Sequence, residues 1–461
     1  MTDMVAHTRS TGVVNPRLNL FSVPKTDLSM ASRRYVKITP FNTGINPVDF
    51  QIDPQDDFID LNDSYFEVEL RLKKDNGSDL VVGDLILPVN NLAHSLFKQI
   101  ICRLNGTLIS PQTDTYHHKA FLEQILNNDR VDGENLLPVQ GWFNSLKVPD
   151  VAEKAFSANE MNPTNNDHKA LKEDFRTAII NRQQFFGGKK VTMRFKPFLE
   201  VFHLNKLLIP GVQIQINMYF NSTDIWSMVY GGARTLRLTE DDVKVNLYLA
   251  QVRVTPSIYL GLMDSMRSGK QVVSYPTVRG EIRTYTHASD ERYFECNNPF
   301  RNQVPNRVIV AMLRQDAFNG DKARYPFSDQ KFNLSSIKQL IRGEEYPYET
   351  LHLQHDDDSN DLRGYQRYLL GTGSICRNKG DMVRRDDWGH GKLCTLFVFD
   401  NTANGCLNTS VLNPKQSGEL RIVIQFGANP GANLVILVYG EFENMMEIDR
   451  NKTITYDVYQ P

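Results

Sequence analysis

Apolar and polar residues alternate with a period of two along most of this chain, the pattern of half-buried β-strands. Phe66, Val68, Leu70 and Leu72 alternate with Glu67, Glu69 and Arg71. Ile100, Cys102 and Leu104 alternate and end at Asn105-Gly106, a tight-turn signal. Val191, Met193 and Phe195 repeat the pattern, and Val212, Ile214, Ile216, Met218 and Phe220 give its cleanest case. Val243, Val245, Leu247 and Leu249 continue it, then the phase slips to Val252 and Val254, which predicts a β-bulge. In the second half, Val308–Leu313 and Leu393–Phe399 read as buried strands, and Leu420, Ile422, Ile424 and Phe426 alternate. Leu434–Tyr439 is continuously apolar, as in a strand covered on both faces.

Helical spacing is rare. Asp114 is placed to cap a helix running to Leu126, with Phe121, Leu122, Ile125 and Leu126 on one side. Leu171, Phe175 and Ile179 suit a second, Ser257–Arg267 a third that stops at Gly269, and Asp361–Leu370 a fourth that stops at Gly371. Residues 127–180 and 343–392 are long polar stretches that interrupt the strand rhythm.

The order of features recurs. Leu104-Asn105-Gly106 precedes a Tyr-bearing helix, Tyr116–Leu126, and Ile341-Arg342-Gly343 precedes another, Tyr365–Leu370. A long loop and a strand follow each, Val191–Phe195 and Leu393–Phe399. Gly211 and Gly418 then each lead an alternating strand. Two tandem all-β units of about eight strands explain this order. The division expected is an arm over 1–30, a first unit over 31–255 with an insertion at 127–180, a linker helix over 256–269, and a second unit over 270–461 with a long loop at 343–392.

Composition allows large cores, with 41% of residues hydrophobic, 25 Phe and 18 Tyr in 461. Charge is nearly balanced, 52 basic against 54 acidic, so nothing global advertises nucleic-acid binding. Residues 1–40 are locally basic: Arg9, Arg17, Lys25, Arg33, Arg34 and Lys37 oppose only Asp3 and Asp27. That stretch is either a solvated arm or one that touches nucleic acid or a neighbouring subunit. Cys102, Cys296, Cys376, Cys394 and Cys406 are odd in number and lack C-x-x-C spacing, which argues for reduced thiols and against a disulfide framework or zinc site. No signal-peptide core is seen after Met1. The longest clean apolar run, Leu434–Tyr439, is far short of the roughly 20 residues that span a bilayer. The sequons Asn76-Gly-Ser78 and Asn105-Gly-Thr107 are therefore expected to stay unused.

No catalytic or cofactor constellation emerges. His352 and His355 with Asp356-Asp357-Asp358 form the best metal candidate, but they read as a solvated acidic turn without a scaffold. Adjacent His117 and His118 are expected to diverge. Phe186-Gly187-Gly188-Lys189-Lys190 lacks the spacing and the Ser/Thr of a phosphate loop and reads as a turn. Gly371-Thr-Gly373-Ser374 reads as a helix stop, and the pairs Asp56-Asp57 and Asp241-Asp242 fall at turns. There is no G-x-S-x-G or H-E-x-x-H. The chain is accordingly not read as an enzyme, and no catalytic, cofactor-binding or metal residue is assigned.

Ordered segments along nearly the whole chain carry a family resemblance. They are Phe58-Ile-Asp-Leu-Asn-Asp-Ser-Tyr-Phe66, Ser95-Leu-Phe-Lys-Gln-Ile-Ile-Cys-Arg-Leu-Asn-Gly106 and Leu207-Leu-Ile-Pro-Gly-Val-Gln-Ile-Gln-Ile216. Then follow Asn298-Pro-Phe-Arg-Asn-Gln-Val-Pro-Asn-Arg-Val-Ile-Val310, Asp316-Ala-Phe-Asn-Gly320 and Tyr325-Pro-Phe327, with Thr395-Leu-Phe-Val-Phe-Asp400, Gly418-Glu-Leu-Arg-Ile422, Glu441-Phe-Glu-Asn444 and Ile448-Asp449 at the end. On these the chain resembles the double jelly-roll major capsid proteins of the Polinton/Maverick and adintovirus lineage, relatives of the adenovirus hexon group. It departs from the pattern at Arg324-Tyr325-Pro326-Phe327, where an Asn before the proline is expected.

The resemblance implies two tandem eight-stranded jelly rolls with short helices in loops, and a homotrimer whose six barrels tile an icosahedral shell around double-stranded DNA. It implies neighbouring capsid trimers, penton and minor capsid proteins as partners, an N-terminal arm at the inner face in reach of DNA, and a place in the virion. Two rival readings are a jelly-roll receptor- or carbohydrate-binding module, which needs an aromatic platform or a Ca²⁺ loop, and a cupin-like metalloenzyme, which needs clustered ligands on strands.

Overall fold

The computed structural model describes residues 8–11, 13–42, 44, 46–81, 84, 86–110, 113–146, 181–182, 185–186, 190–229, 236–268, 271–355, 362–377, 380–392, 394–405 and 412–456. Eight strands of the first half build two antiparallel sheets: β1 Met30–Ile38, β2 Val48–Ile52, β3 Phe58–Leu70, β4 Phe97–Leu104, β5 Thr107–Leu108, β6 Val191–Phe195, β7 Ile214–Phe220 and β8 Val243–Val254. The sheets run β1-β8-β3-β6 and β2-β7-β4-β5.

The second half has β9 Val273–His287, β10 Tyr293–Asn297, β11 Arg307–Arg314, β12 Leu334–Ile341, β13 Glu344–Glu345, β14 Phe397–Asp400, β15 Leu420–Phe426 and β16 Leu434–Ile448. Its sheets run β9-β16-β11-β14 and β10-β15-β12-β13. Both halves thus order their strands first-eighth-third-sixth and second-seventh-fourth-fifth. Among the described residues no sheet mixes strands of the two halves. The same topology twice over is the structural form of the recurrence in the sequence.

Alternation accounts for the cores. In β7 and β15 every second residue is buried, and Phe66 of β3 packs against Phe50, Phe195 and Phe202 with ring centroids 5.3–5.9 Å apart. The turns between fourth and fifth strands match as well. Asn105-Gly106 and Arg342-Gly343 all have positive φ, the backbone a two-residue hairpin needs to follow the sheet twist.

The register shift in β8 falls where its alternation slips, but the extra residues belong to β3. Leu61–Ser64 lie opposite Leu249 alone. Ser64 holds the bulge, its Oγ donating to the Asp60 carbonyl and accepting from the Ala250 N–H.

Among the described residues, the α-helices of six residues or more in the connections are α1 Tyr116–Asn127, α2 Arg130–Asn135, α3 Pro256–Arg267 and α4 Arg363–Gly371. α1 and α4 hold equivalent places, between the fifth and sixth strands of their barrels. Asp114 does not cap α1. The N-cap is Thr115, and Asp114 faces Lys98 at 3.7 Å instead. α4 ends at Gly371, with Thr372 as its C-cap and Gly373 at positive φ, and Gly371 packs so closely on β14 that a Cβ there would lie 2.5 Å from the Val398 carbonyl oxygen. The strand expected over Leu393–Phe399 begins only at Phe397, while Cys394 makes an isolated bridge to Asp329. The helix expected around Leu171, Phe175 and Ile179 lies outside the described residues, as do Asp361 and most of the 127–180 insertion. No described helix is long and apolar enough to cross a membrane.

Candidate assembly surfaces

α1 is buried on nearly every side, from Tyr116 to Ile125. It lies between its own barrel and the outer face of β9-β16-β11-β14. Phe121 stacks on Phe327 of the second half with ring centroids 4.3 Å apart, and His118 stacks on Phe318 at 5.1 Å. Burying an aromatic ring of this kind contributes roughly 2–3 kcal/mol. His117 and His118 do not diverge, as adjacent residues were expected to. Both are buried with centroids 4.3 Å apart, because α1 has cover on both of the sides to which they point.

Polar groups on α1 reach the second barrel's sheet. The Tyr439 hydroxyl donates to Glu123 Oε1 at 2.9 Å, and Lys119 lies 3.5 Å from that carboxylate while donating to the Phe198 carbonyl. Next to them Arg307 donates to both Glu441 oxygens, at 2.8 and 2.9 Å, in the two-pronged geometry that makes a buried ion pair tolerable. Gly280 of β9 sits directly under this network. A Cβ there would lie 2.5 Å from Glu123 Oε1, 2.6 Å from the Tyr439 hydroxyl and 2.9 Å from Lys119 Cε.

The 200–211 segment completes the seam. Tyr275 of β9 donates to the Leu207 carbonyl and accepts from the Ile209 N–H. A cleft of about 610 Å³ opens here, lined by residues of both halves including Glu123, Glu200, Thr277 and Glu441. Neither oxygen of buried Glu200 meets a donor among the described residues. Burial pushes its carboxyl up to about 8, against the pull of Lys119 and Arg279. Burial likewise holds His94, His117 and His203 down to about 3, and His118 well below its ordinary value.

The equivalent outer face of the first barrel, on β1-β8-β3-β6, is partly exposed, with Tyr35, Lys37 and Arg194 exposed and Tyr65 and Tyr248 half-buried. It carries an aromatic and cationic ladder. Tyr65 stacks on Tyr248 at 5.1 Å and meets Tyr35 at 6.0 Å, while Arg194 lies 5.2 Å above the Tyr65 ring. Lys37 lies over Tyr248. Arg194 Nε and the Tyr248 hydroxyl both donate to Glu67. Tyr35 is 51% exposed. No aromatic platform is legible in the sequence, because the three tyrosines come from three different strands. The available signal was their phase: Tyr65 and Tyr248 alternate with inward apolar residues and so point outward.

A second exposed apolar surface lies on the arm. Val13, Val14, Leu18, Leu20, Phe21, Val23 and Leu28 are all exposed, and the arm is tied down at its end by Thr255, which bonds to the Leu28 and Ser29 carbonyls. Residues of this kind in a row mark a contact segment.

The remaining candidates resolve into structure. His352 is exposed on a two-residue strand beside β12, His355 packs against Gly427, and Asp356-Asp357-Asp358 lie outside the described residues. Asp57 accepts from Arg253, and Asp242 closes a capping box with Thr239. Thr372 and Ser374 of the helix stop donate to Asp381. Lys190 pairs with Glu69, while Gly187–Lys189 lie outside the described residues. Cys102, Cys296, Cys376 and Cys394 are free thiols, and Cys406 lies outside the described residues.

No protein-family model matches the chain. A Caenorhabditis elegans protein named uncharacterized protein F54H12.2 is 18% identical over 413 residues, covering 85% of this chain and 88% of its own length. Three solved structures are similar along essentially their whole lengths. The Sputnik virophage structure has a TM-score of 0.59 at 10% identity, covering 100% of this chain and 96% of the other. The mavirus major capsid protein has 0.55 at 11%, covering 99% and 97%. The PBCV-1 virus capsid has 0.55 at 9%, covering 95% and 100%. The fold is the double jelly roll. The likeness extends over both barrels and the segments between them, as the paired topology requires.

Proposed function

We propose that this chain is the major capsid protein of a virus or virus-like element of the Polinton/Maverick and adintovirus lineage. It acts by self-assembly and not by catalysis. Three chains associate into a trimer of six similar barrels, and trimers tile an icosahedral shell around double-stranded DNA. The observation that carries this reading is the double jelly roll with the same strand order in both halves, similar over full length to the mavirus and Sputnik structures. The ordered segments from Phe58 to Asp449 support the lineage.

The chain divides for this task into the arm 1–30, a first barrel over 31–255, a linker helix over 256–269 and a second barrel over 270–461. Outer towers are expected from 127–180 and 343–392, whose described parts, α2, β13 and α4, pack on the barrels with Trp142 and Trp388 buried. The basic arm, with its exposed apolar residues, lies at the inner face in reach of DNA and neighbouring subunits. Penton and minor capsid proteins complete the shell, and the mature location is the virion.

Light scattering and electron microscopy of the purified chain test this reading. The expected result is a stable trimer that forms shells, and deletion of residues 1–30 leaves trimers but impairs shells. A well-folded monomer at micromolar concentration defeats the proposal, and closed shells of normal size from the truncated chain defeat the arm's role.

The tyrosine ladder is the one feature that favours a carbohydrate-binding reading. Its geometry speaks against that, because Tyr65 already has Tyr248 stacked on it and Arg194 above it, which leaves little ring face for a sugar.

A further inference from the structure

The two barrels hold the same sheet in different states. The middle of the outer face of β9-β16-β11-β14 is covered within the chain: Ile282, Ile309, Ala311, Leu437 and Tyr439 are buried, with α1 laid against the sheet, while Pro276, Val278, Thr284 and Thr286 of β9 are exposed. The corresponding face of β1-β8-β3-β6 presents Tyr35, Lys37 and Arg194 exposed and Tyr65 and Tyr248 half-buried. The element that matches α1 in the second barrel is α4, whose residues Arg363 and Gln366 are exposed.

We infer that the Tyr35–Tyr65–Tyr248–Arg194 face is the seat for the second barrel of another copy of this chain, which lays its α4 region there as α1 is laid on β9-β16-β11-β14. This rests on the trimer reading above and names the seam between its subunits.

The geometry inside one chain supplies the argument. First barrel to second is a head-to-tail relation: an insertion of one meets a sheet face of the next. Repeated between chains, such a heterologous contact closes into a ring when its rotation divides the circle, and three chains make a ring of six barrels. The chemistry of the two faces fits their different histories. The covered face carries Ile309, Ala311 and Leu437 beside the buried Arg307–Glu441 pair. A face that waits in water for a partner is built from Tyr and Arg, the residues enriched at such interfaces. Tyr65, Tyr248, Arg194 and Glu67 are already bonded to one another, so little side-chain freedom is lost on docking.

The test combines two variants of the full chain. In the first, Tyr35→Glu with Arg194→Glu changes two exposed side chains. Expected is a folded chain with wild-type circular dichroism that runs as a monomer where wild type is a trimer, a loss of at least about 100-fold in association. In the second, on a Cys376→Ser, Cys406→Ser background, a Tyr35→Cys chain is mixed with a Gln366→Cys chain under a short bismaleimide. Cross-links between chains are expected in the mixture and not in either chain alone; this arm decides if the double variant misfolds. A trimeric double variant, or a trimeric mixture without cross-links, overturns the inference while leaving the trimer standing. A monomeric wild type removes the trimer and this seam together. Glycan binding by wild-type trimers that the double variant loses while remaining trimeric assigns the face to a sugar and also overturns it.

Discussion

The Tyr439 hydroxyl donates to Glu123 Oε1 at 2.9 Å across 316 residues of sequence, with Tyr439 buried and Glu123 nearly so at the junction of the barrels. Tyr439→Phe removes that donor and leaves Lys119 facing the carboxylate at 3.5 Å. The expected cost is about 1–3 kcal/mol. It is read as a fall in melting temperature of ~2–4 °C per kcal/mol for domains of this size. An unchanged melting curve would show that the bond contributes nothing.

Gly280 and Gly261 give a matched contrast. Gly280→Ala drives a methyl into Glu123, Tyr439 and Lys119 and is expected to cost about 1–3 kcal/mol. Gly261, in the exposed part of α3, has no described neighbour outside its own helix that a Cβ would meet within 4 Å. Gly261→Ala is expected to stabilise by about 0.5–1 kcal/mol through helix propensity. Urea midpoints of the two variants should therefore move in opposite directions.

Stability should fall on both sides of a maximum in pH. His94, His117 and His203 titrate near 3 when folded and near 6.5 when unfolded, so their contribution is complete above about 6.5 and is lost as pH falls toward 3. Each costs about 1.4 kcal/mol per pH unit within that window. Glu200 is opposite in sign. Its folded value of about 8 lies above the unfolded one, so its contribution is complete below about 4.5 and is lost as pH rises through 8. Melting temperatures of wild type and Glu200→Gln across pH 5–9 check this. The variant should lose the alkaline decline and keep the acid one; parallel profiles would refute the assignment.

Thiol labelling of the native protein should find Cys376 and spare Cys102, Cys296 and Cys394. The first is exposed and the others are buried, with Cys102 and Cys296 pushed up to about 12 by burial. Mass spectrometry after brief alkylation at pH 8 reads the outcome, and rapid modification of Cys102 or Cys296 would contradict the packing.

Strands with one buried face were legible in the sequence, and so was their duplication. β7 and β15 alternate because one face of each is core and the other is not. β1 was not legible, since most of it is exposed on both faces. β9 was obscured for another reason: its Arg279, Glu281 and Arg283 pair with one another along the strand and place charges where alternation calls for apolar residues.

Leu434–Tyr439 read correctly as covered on both faces, yet nothing local to it could say that α1 supplies the second cover. The same holds for α1 itself. Its spacing predicted one apolar side, whereas the helix is buried on nearly every side, because the second cover comes from a sheet whose first strand begins only at Val273. The tyrosine-bearing face of the first barrel was hidden likewise, as Tyr35, Tyr65 and Tyr248 meet only when β8 pairs between β1 and β3.

The α3 helix, Pro256–Arg267, has a consequence for kinetics. It makes the Tyr439–Glu123 seam intramolecular, so that seam closes at the effective concentration of a short tether, of millimolar order, however dilute the protein. Dilution can separate chains, but it cannot open the contact between the barrels of one chain. For a six-barrel ring the number of bodies that must meet falls from six to three. Ring formation then depends on the third power of concentration instead of the sixth.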